Sequence, residues 1–226
     1  MSTEAIKKAA GRAAAEFIKD GMHVGLGTGS TAFYFIARLI ERVHEGLKIR
    51  AAASSLRSLK QAQEGGVPLL DINAISSLDI TVDGADEIDP QKRMIKGGGG
   101  AMVREKIVAS MSKELVIIVD ESKLVSKLGK CKLPVEVIPF AFQATLHKMQ
   151  KLGYQGAFRL NQNNSLYVTD NGNYIVDIHF PHLCEHPELD HEALIHLPGV
   201  VDTGFFFNLA GRVVVGFADG QVAVRP

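Results

Sequence analysis

The chain has 226 residues, 46% of them hydrophobic, with 25 Lys+Arg balanced against 25 Asp+Glu. A chain of this length buries roughly 70% of its unfolded surface, and the zero formal charge leaves no basic excess to hold a nucleic-acid backbone or an anionic membrane. Only Cys131 and Cys184 are present, which excludes a disulfide framework and fits a reducing cytoplasm, and no apolar run reaches the length of a membrane helix.

Residues Thr3 to Lys19 set alanines, Ile6, Phe17 and Ile18 among charges at helical spacing, with Asp20-Gly21 as the stop. Glu4, Lys7, Lys8, Arg12 and Glu16 interrupt this amphipathic stretch and argue against a signal core or a transit pattern. Met22 to Leu26 then reads as a short strand, and the turn GLGTGST leads into a helix from about Ser30 through Val43.

Gly27, Thr28, Gly29, Ser30 and Thr31 combine close-approach backbone, hydroxyl donors and a helix N-terminus, which are the requirements of a phosphate cradle. No Lys precedes the Ser-Thr pair, so this is not a Walker loop. The dinucleotide fingerprint is formally matched by Gly27-x-Gly29-x-x-Ala32. However, the next strand, about Lys48 to Ala53, ends in Ala-Ser-Ser and lacks the acid that would bind a ribose hydroxyl. Ser54 and Ser55 open another helix, SLRSLKQAQEGG, whose cap they can supply.

From Asp79 to Lys106 the chain reads DITVDGADEIDPQKRMIKGGGGAMVREK. The β-prone run Ile80-Thr81-Val82 stops at Asp83-Gly84-Ala85-Asp86, which places two carboxylates at a strand's C-terminal mouth, where open α/β sheets hold their ligands. Met94 and Ile95 lead to Lys96 and four glycines, and the helix that follows carries Glu105 about a turn in. Asp83, Asp86, Lys96 and Glu105 are therefore expected to converge on one small, oxygen-rich ligand. Turn-forming aspartates, a solvated lysine and a flexible glycine loop are the plainer alternative.

VDGADEID followed by MIKGGGGAMVREK, with GLGTGSTA upstream and LPVEVIPF, TDNGN and LPGVVDTGFF downstream, resembles the ribose-5-phosphate isomerase A family over nearly the whole chain. The resemblance implies an isomerase of the pentose phosphate pathway that needs neither cofactor nor metal and works as a cytoplasmic homodimer or homotetramer. It assigns Glu105 as the base, and Asp83 and Asp86 to the sugar hydroxyls. Lys96 and the N–H groups of Gly97, Gly98 and Gly99 go to the developing negative charge. Thr28, Gly29, Ser30, Thr31 and Lys123 go to the phosphate, with Lys7 as a further contact, and Gly84 and Ala85 line the substrate. A sugar-phosphate sensor would need the cradle but not the base, and a deaminase or transferase on a related scaffold would share the glycine-rich turn.

Leu115 to Val119 reads as the next buried strand, closed by Asp120-Glu121-Ser122-Lys123 at the same edge as Asp83. Beyond it a helix is expected near Phe142 to Leu152, strands near Tyr167 and Tyr174 to His179, and a helix near Leu189 to His196. Strands at Arg212 to Phe217 and Gln221 to Val224 close the chain. The expected fold is α/β: a Rossmann-like open sheet flanked by helices (1–129 plus 207–226), and a smaller α+β domain (130–206). Two acidic or His-rich stretches invite a metal reading. His179, His182, Cys184, His186 and His191 match no zinc spacing, and Asp83, Asp86, Glu87 and Asp89 lack the alternation of a calcium loop.

Overall fold

Short runs of buried, β-branched residues build the main sheet. The Leu115–Asp120 strand, LVIIVD, is buried at every position, and Ile80–Asp83 likewise, the pattern expected when helices cover both faces of a parallel sheet. The computed structural model describes all residues, Met1–Pro226, and the chain divides into two units, each described in turn.

The first unit comprises Met1–Ala85, Arg104–Leu124 and Asn208–Pro226. Its six-stranded sheet runs in the spatial order Val222–Arg225, Ala210–Gly216, Leu115–Asp120, Ile80–Asp83, His23–Leu26, Arg50–Ala53. All neighbours are parallel except the Val222–Arg225 edge, which is antiparallel. From His23–Leu26 the chain first goes to one side, to Arg50–Ala53, and then returns to the other, to Ile80–Asp83. The carboxyl ends of His23–Leu26 and Ile80–Asp83 thus flank a topological switch point. The helices Thr3–Ala15 and Ser30–His44 bury Ala10, Ala14, Phe35, Ile36 and Leu39 in the same core as Val24, Leu26, Val82, Val116 and Ile118.

The opening helix stops at Ala15, four residues before the expected end. Its last carbonyl and one beyond its end are claimed from outside: Arg42 Nη1 donates to the oxygens of Ala15 and of Ile18, the latter at 3.0 Å. Phe17 and Ile18 instead close tight i→i−3 turns onto Ala14 and Ala15.

The second unit comprises Asp86–Val103 and Val125–Phe207. Its four-stranded antiparallel sheet has the order Val200–Thr203, Leu133–Val137, Tyr174–His179, Gln155–Phe158, and a second sheet joins Phe205–Phe206, Met94–Ile95 and Glu87–Ile88. Leu133, Val135, Val137, Val176 and Ile178 share its core with Met149 of the Phe142–Lys151 helix and Leu194 of the Pro187–Ile195 helix. No strand forms at Tyr167, contrary to expectation. Asn161 and Ser165 close a turn there, and only a single bridge links Leu160 to Leu166. The edge partner of Tyr174–His179 is Gln155–Phe158, which sequence patterning did not mark.

Candidate active site

In the first unit, Asp83 is the last residue of its strand and only 1% exposed. Its Oδ1 accepts the backbone N–H groups of Thr28 at 3.0 Å and Gly84 at 2.7 Å, so the carboxylate is fixed against the turn that follows the neighbouring strand. Gly27 makes that approach possible, since a Cβ there would overlap the Asp83 carboxylate.

The turn itself is braced from behind. The Thr28 hydroxyl donates to Ser55 at 2.8 Å, Ser55 to Ser58 at 3.1 Å, and Ser58 to the Gly27 carbonyl at 2.6 Å, while Ser54 holds the Leu26 carbonyl. Thr28 thus faces a serine cluster with its side chain and Asp83 with its backbone. Ser55 also caps its helix, accepting from Ser58 N–H.

The Ser30–His44 helix opens on Gly29, which has no side chain to satisfy the first-turn N–H groups. The positive end of the helix therefore stands at the turn, and Lys7 Nζ reaches it, donating to Ser30 Oγ at 2.9 Å. Thr31 is buried in the first turn. Lys123 ends a short 3₁₀ turn, Glu121–Lys123, that Asp120 caps beyond the Leu115–Asp120 strand, at the carboxyl edge of the sheet. Glu105 lies in the first turn of the Met102–Ser110 helix and is 4% exposed, shielded from bulk water.

In the second unit, Asp86 Oδ2 accepts the Gly98 N–H at 2.7 Å, tying the aspartate turn to the glycine loop. Lys96 is 2% exposed; its backbone donates to Gly204 O at 2.8 Å and its ammonium lies 5.4 Å from the Phe206 ring centroid. Gly98 and Gly99 are exposed, whereas Gly97 and Gly100 are buried. Two residues that sequence reasoning missed hold this loop. Arg159 Nη1 donates to the carbonyls of Gly97 and Gly98, and the Tyr167 hydroxyl donates to that of Gly99. Burial pushes the Tyr167 phenol up, which keeps it a donor. No local pattern marks either residue, since both meet the loop only through folding.

Glu87, Asp89 and His191 have structural duties. Glu87 accepts the N–H groups of Gly129 and Cys131, and Asp89 pairs with Arg93 at 2.6 Å. In the His-rich stretch, His191 Nδ1 bonds Thr203 Oγ1 at 2.7 Å, and burial pushes the Cys184 thiol up to about 12. Nowhere does the fold gather three His, Cys, Asp or Glu side chains into a ligand set for a metal.

The family model for ribose 5-phosphate isomerase A (phosphoriboisomerase A) matches residues 50–220. The chain belongs to the ribose 5-phosphate isomerase A family. A ribose-5-phosphate isomerase A of Protochlamydia amoebophila is 53% identical over 218 residues, covering 96% of this chain and 94% of the relative. One from Bacillus mycoides is 46% identical, covering 95% and 97%. Among solved structures, a D-ribose-5-phosphate isomerase in complex with phospho-erythronic acid superposes with a TM-score of 0.94 at 37% identity, covering 100% of this chain and 99% of that one. The isomerase of Methanocaldococcus jannaschii gives 0.91 at 38%, covering 99% of each chain. The isomerase A family thus accounts for both the parallel sheet and the small antiparallel sheets.

Proposed function

We propose that this member of the isomerase A family interconverts D-ribose 5-phosphate and D-ribulose 5-phosphate through an enediolate, with the roles that follow. Glu105 removes the proton from C2. The C–H electron pair forms the C1–C2 double bond, and the former aldehyde oxygen becomes anionic. Asp83 and Asp86 open the furanose ring and move the proton from O2 to O1, and Glu105 returns its proton to C1 to leave the ketone at C2. Lys96 and the loop N–H groups offset the negative charge on the enediolate oxygens, where fixed donors act without reorganising.

The turn Thr28–Gly29–Ser30–Thr31, with Lys123 and Lys7, anchors the phosphate. Its binding energy positions the reacting carbons. Gly84 and Ala85 line the substrate beside Asp83. The working form in this reading is a cytoplasmic homodimer.

The observation that carries this reading is full-length membership of the family, with the Asp83 carboxylate seated against the Gly27–Thr31 turn at the switch point of the sheet. The test is incubation of purified protein with ribose 5-phosphate, with ribulose 5-phosphate measured directly. A folded protein that forms no ketose would overturn it.

A further inference from the structure

The glycine loop of the second unit is gripped by its carbonyls. Arg159 follows the Gln155–Phe158 strand, and Asp177 on the adjacent Tyr174–His179 strand holds two corners of its guanidinium, Nε to Oδ2 at 2.9 Å and Nη2 to Oδ1 at 2.5 Å. The pair is 15% and 13% exposed. The third corner, Nη1, donates to Gly97 O at 3.0 Å and to Gly98 O at 3.1 Å. The guanidinium carbon lies 5.7 Å from the Tyr167 ring centroid, and the Tyr167 hydroxyl takes the next carbonyl, Gly99 O, at 3.3 Å.

A peptide unit is planar and trans, so the N–H that follows a carbonyl points the opposite way. Holding the oxygens of Gly97 and Gly98 therefore fixes the directions of the Gly98 and Gly99 N–H groups. The Gly98 N–H meets Asp86 Oδ2 at 2.7 Å, so one of the two is seated on a carboxylate of the Asp79–Lys106 stretch. Consecutive glycines carry no side chains that could impose such an arrangement, and their backbone is the least restricted in the chain. A donor bonded at its carbonyl side is also polarised into a stronger one.

We infer that Arg159, braced by Asp177 and Tyr167, is a positioning residue for the isomerisation that seats the Gly98 N–H on Asp86 and aims the Gly99 N–H at the enediolate oxygens. The inference rests on the reading that Asp86 handles the sugar hydroxyls and that the loop N–H groups stabilise the enediolate charge. A lysine cannot replace this arginine, because grasping one carboxylate in two places while reaching two carbonyls needs the planar, five-donor fork.

The experiment compares wild type with Arg159→Gln, Arg159→Lys and Tyr167→Phe. It measures kcat and KM for ribose 5-phosphate, and the affinities of 4-phosphoerythronate, whose carboxylate imitates the enediolate charge, and of uncharged-head ribitol 5-phosphate. Thermal unfolding accompanies each variant to show that it is folded. Removing one oxyanion donor typically costs about 10²- to 10³-fold, and misdirecting it somewhat less. The expectation for both Arg159 variants is a fall in kcat of roughly 10- to 100-fold with KM within about threefold. Phosphoerythronate should weaken in parallel with kcat and ribitol 5-phosphate should hold, with Tyr167→Phe showing the same pattern at smaller size.

Full kcat in folded Arg159→Gln, or equal weakening of both inhibitors, overturns the inference while leaving the isomerase reading intact. Wild type that does not isomerise ribose 5-phosphate overturns that reading and the inference with it. Should Arg159→Gln not fold, Tyr167→Phe decides by the same split: phosphoerythronate affinity lost selectively supports the role, and unchanged affinity for both inhibitors overturns it.

Discussion

Replacing Glu105 by Gln keeps shape and hydrogen-bonding capacity but removes proton affinity, so sugar-phosphate binding should survive while turnover fails. General-base catalysis contributes typically ~10²- to 10⁴-fold, which sets the expected fall in kcat. In deuterated water the wild type should exchange solvent deuterium into the reacting carbon, and Glu105→Gln should lose exchange and isomerisation together. Substantial exchange by a variant that still binds would move the role to Asp83 or Asp86. Lys123→Ala addresses the phosphate instead. A charge-assisted hydrogen bond is worth roughly 1.5 to 3 kcal/mol, so kcat/KM should drop on the order of tenfold to a hundredfold, much of it in KM. An unchanged preference for phosphorylated over unphosphorylated pentose analogues in the variant would remove Lys123 from that role. At this scale, the positions of Asp83 and Glu105 were legible because a β-prone run that stops at Asp-Gly and a helix that starts after glycines are local signals. Arg159 and Asp177 were not, because their pairing exists only once two strands lie side by side.

Among the elements, the Ala210–Gly216 strand is tied to the start of Leu115–Asp120 by Arg212, whose Nε and Nη2 grip Glu114 at 2.6 and 2.8 Å. The same guanidinium covers the Phe17 ring at 4.1 Å. The hydrogen bonds from Arg212 hold the Glu114 carboxyl below its ordinary value. A lowered folded-state pKa means that the stabilisation is present above the unfolded glutamate pKa of about 4.3 and is lost as pH falls through the folded value. The pair is partly solvated, so Glu114→Gln should cost about 0.5 to 1 kcal/mol at pH 7, and the two proteins should converge at acid pH once the carboxyl is protonated in the folded state. Urea unfolding at neutral and acid pH checks this; a gap that persists in acid would assign the loss to packing.

Strands such as LVIIVD were readable from an unbroken apolar run that no exposed element would carry. Gln155–Phe158 was not, because QGAF neither alternates nor runs apolar. Its Gly156 is set by a neighbour, since a Cβ there would stand 2.8 Å from the Asp177 carbonyl. Tyr167 has the β-prone chemistry of a strand but lies beyond the Asn161–Ser165 turn, with its hydroxyl committed to Gly99.

For the molecule as a whole, the proposed chemistry draws its base and its charge stabilisation from Glu105, Lys96 and backbone donors, so activity should be unchanged by exhaustive chelation. Loss with chelator and recovery on adding zinc or magnesium would refute this. The crossing of the chain between its two units has another consequence. Leu115–Asp120 takes its outer neighbour from Ala210–Gly216, and Ala210 pairs with Leu115 across about 95 residues of intervening chain. On a ribosome adding about 5 to 20 residues per second, this apolar strand waits on the order of 5 to 20 seconds with one edge open. That edge is a template for any other extended chain nearby, including a second nascent copy of the same protein. Chaperone dependence in the cell should accordingly track the interval between these two strands: an insertion in a surface loop between them should raise the aggregated fraction during synthesis even where the finished protein is equally stable.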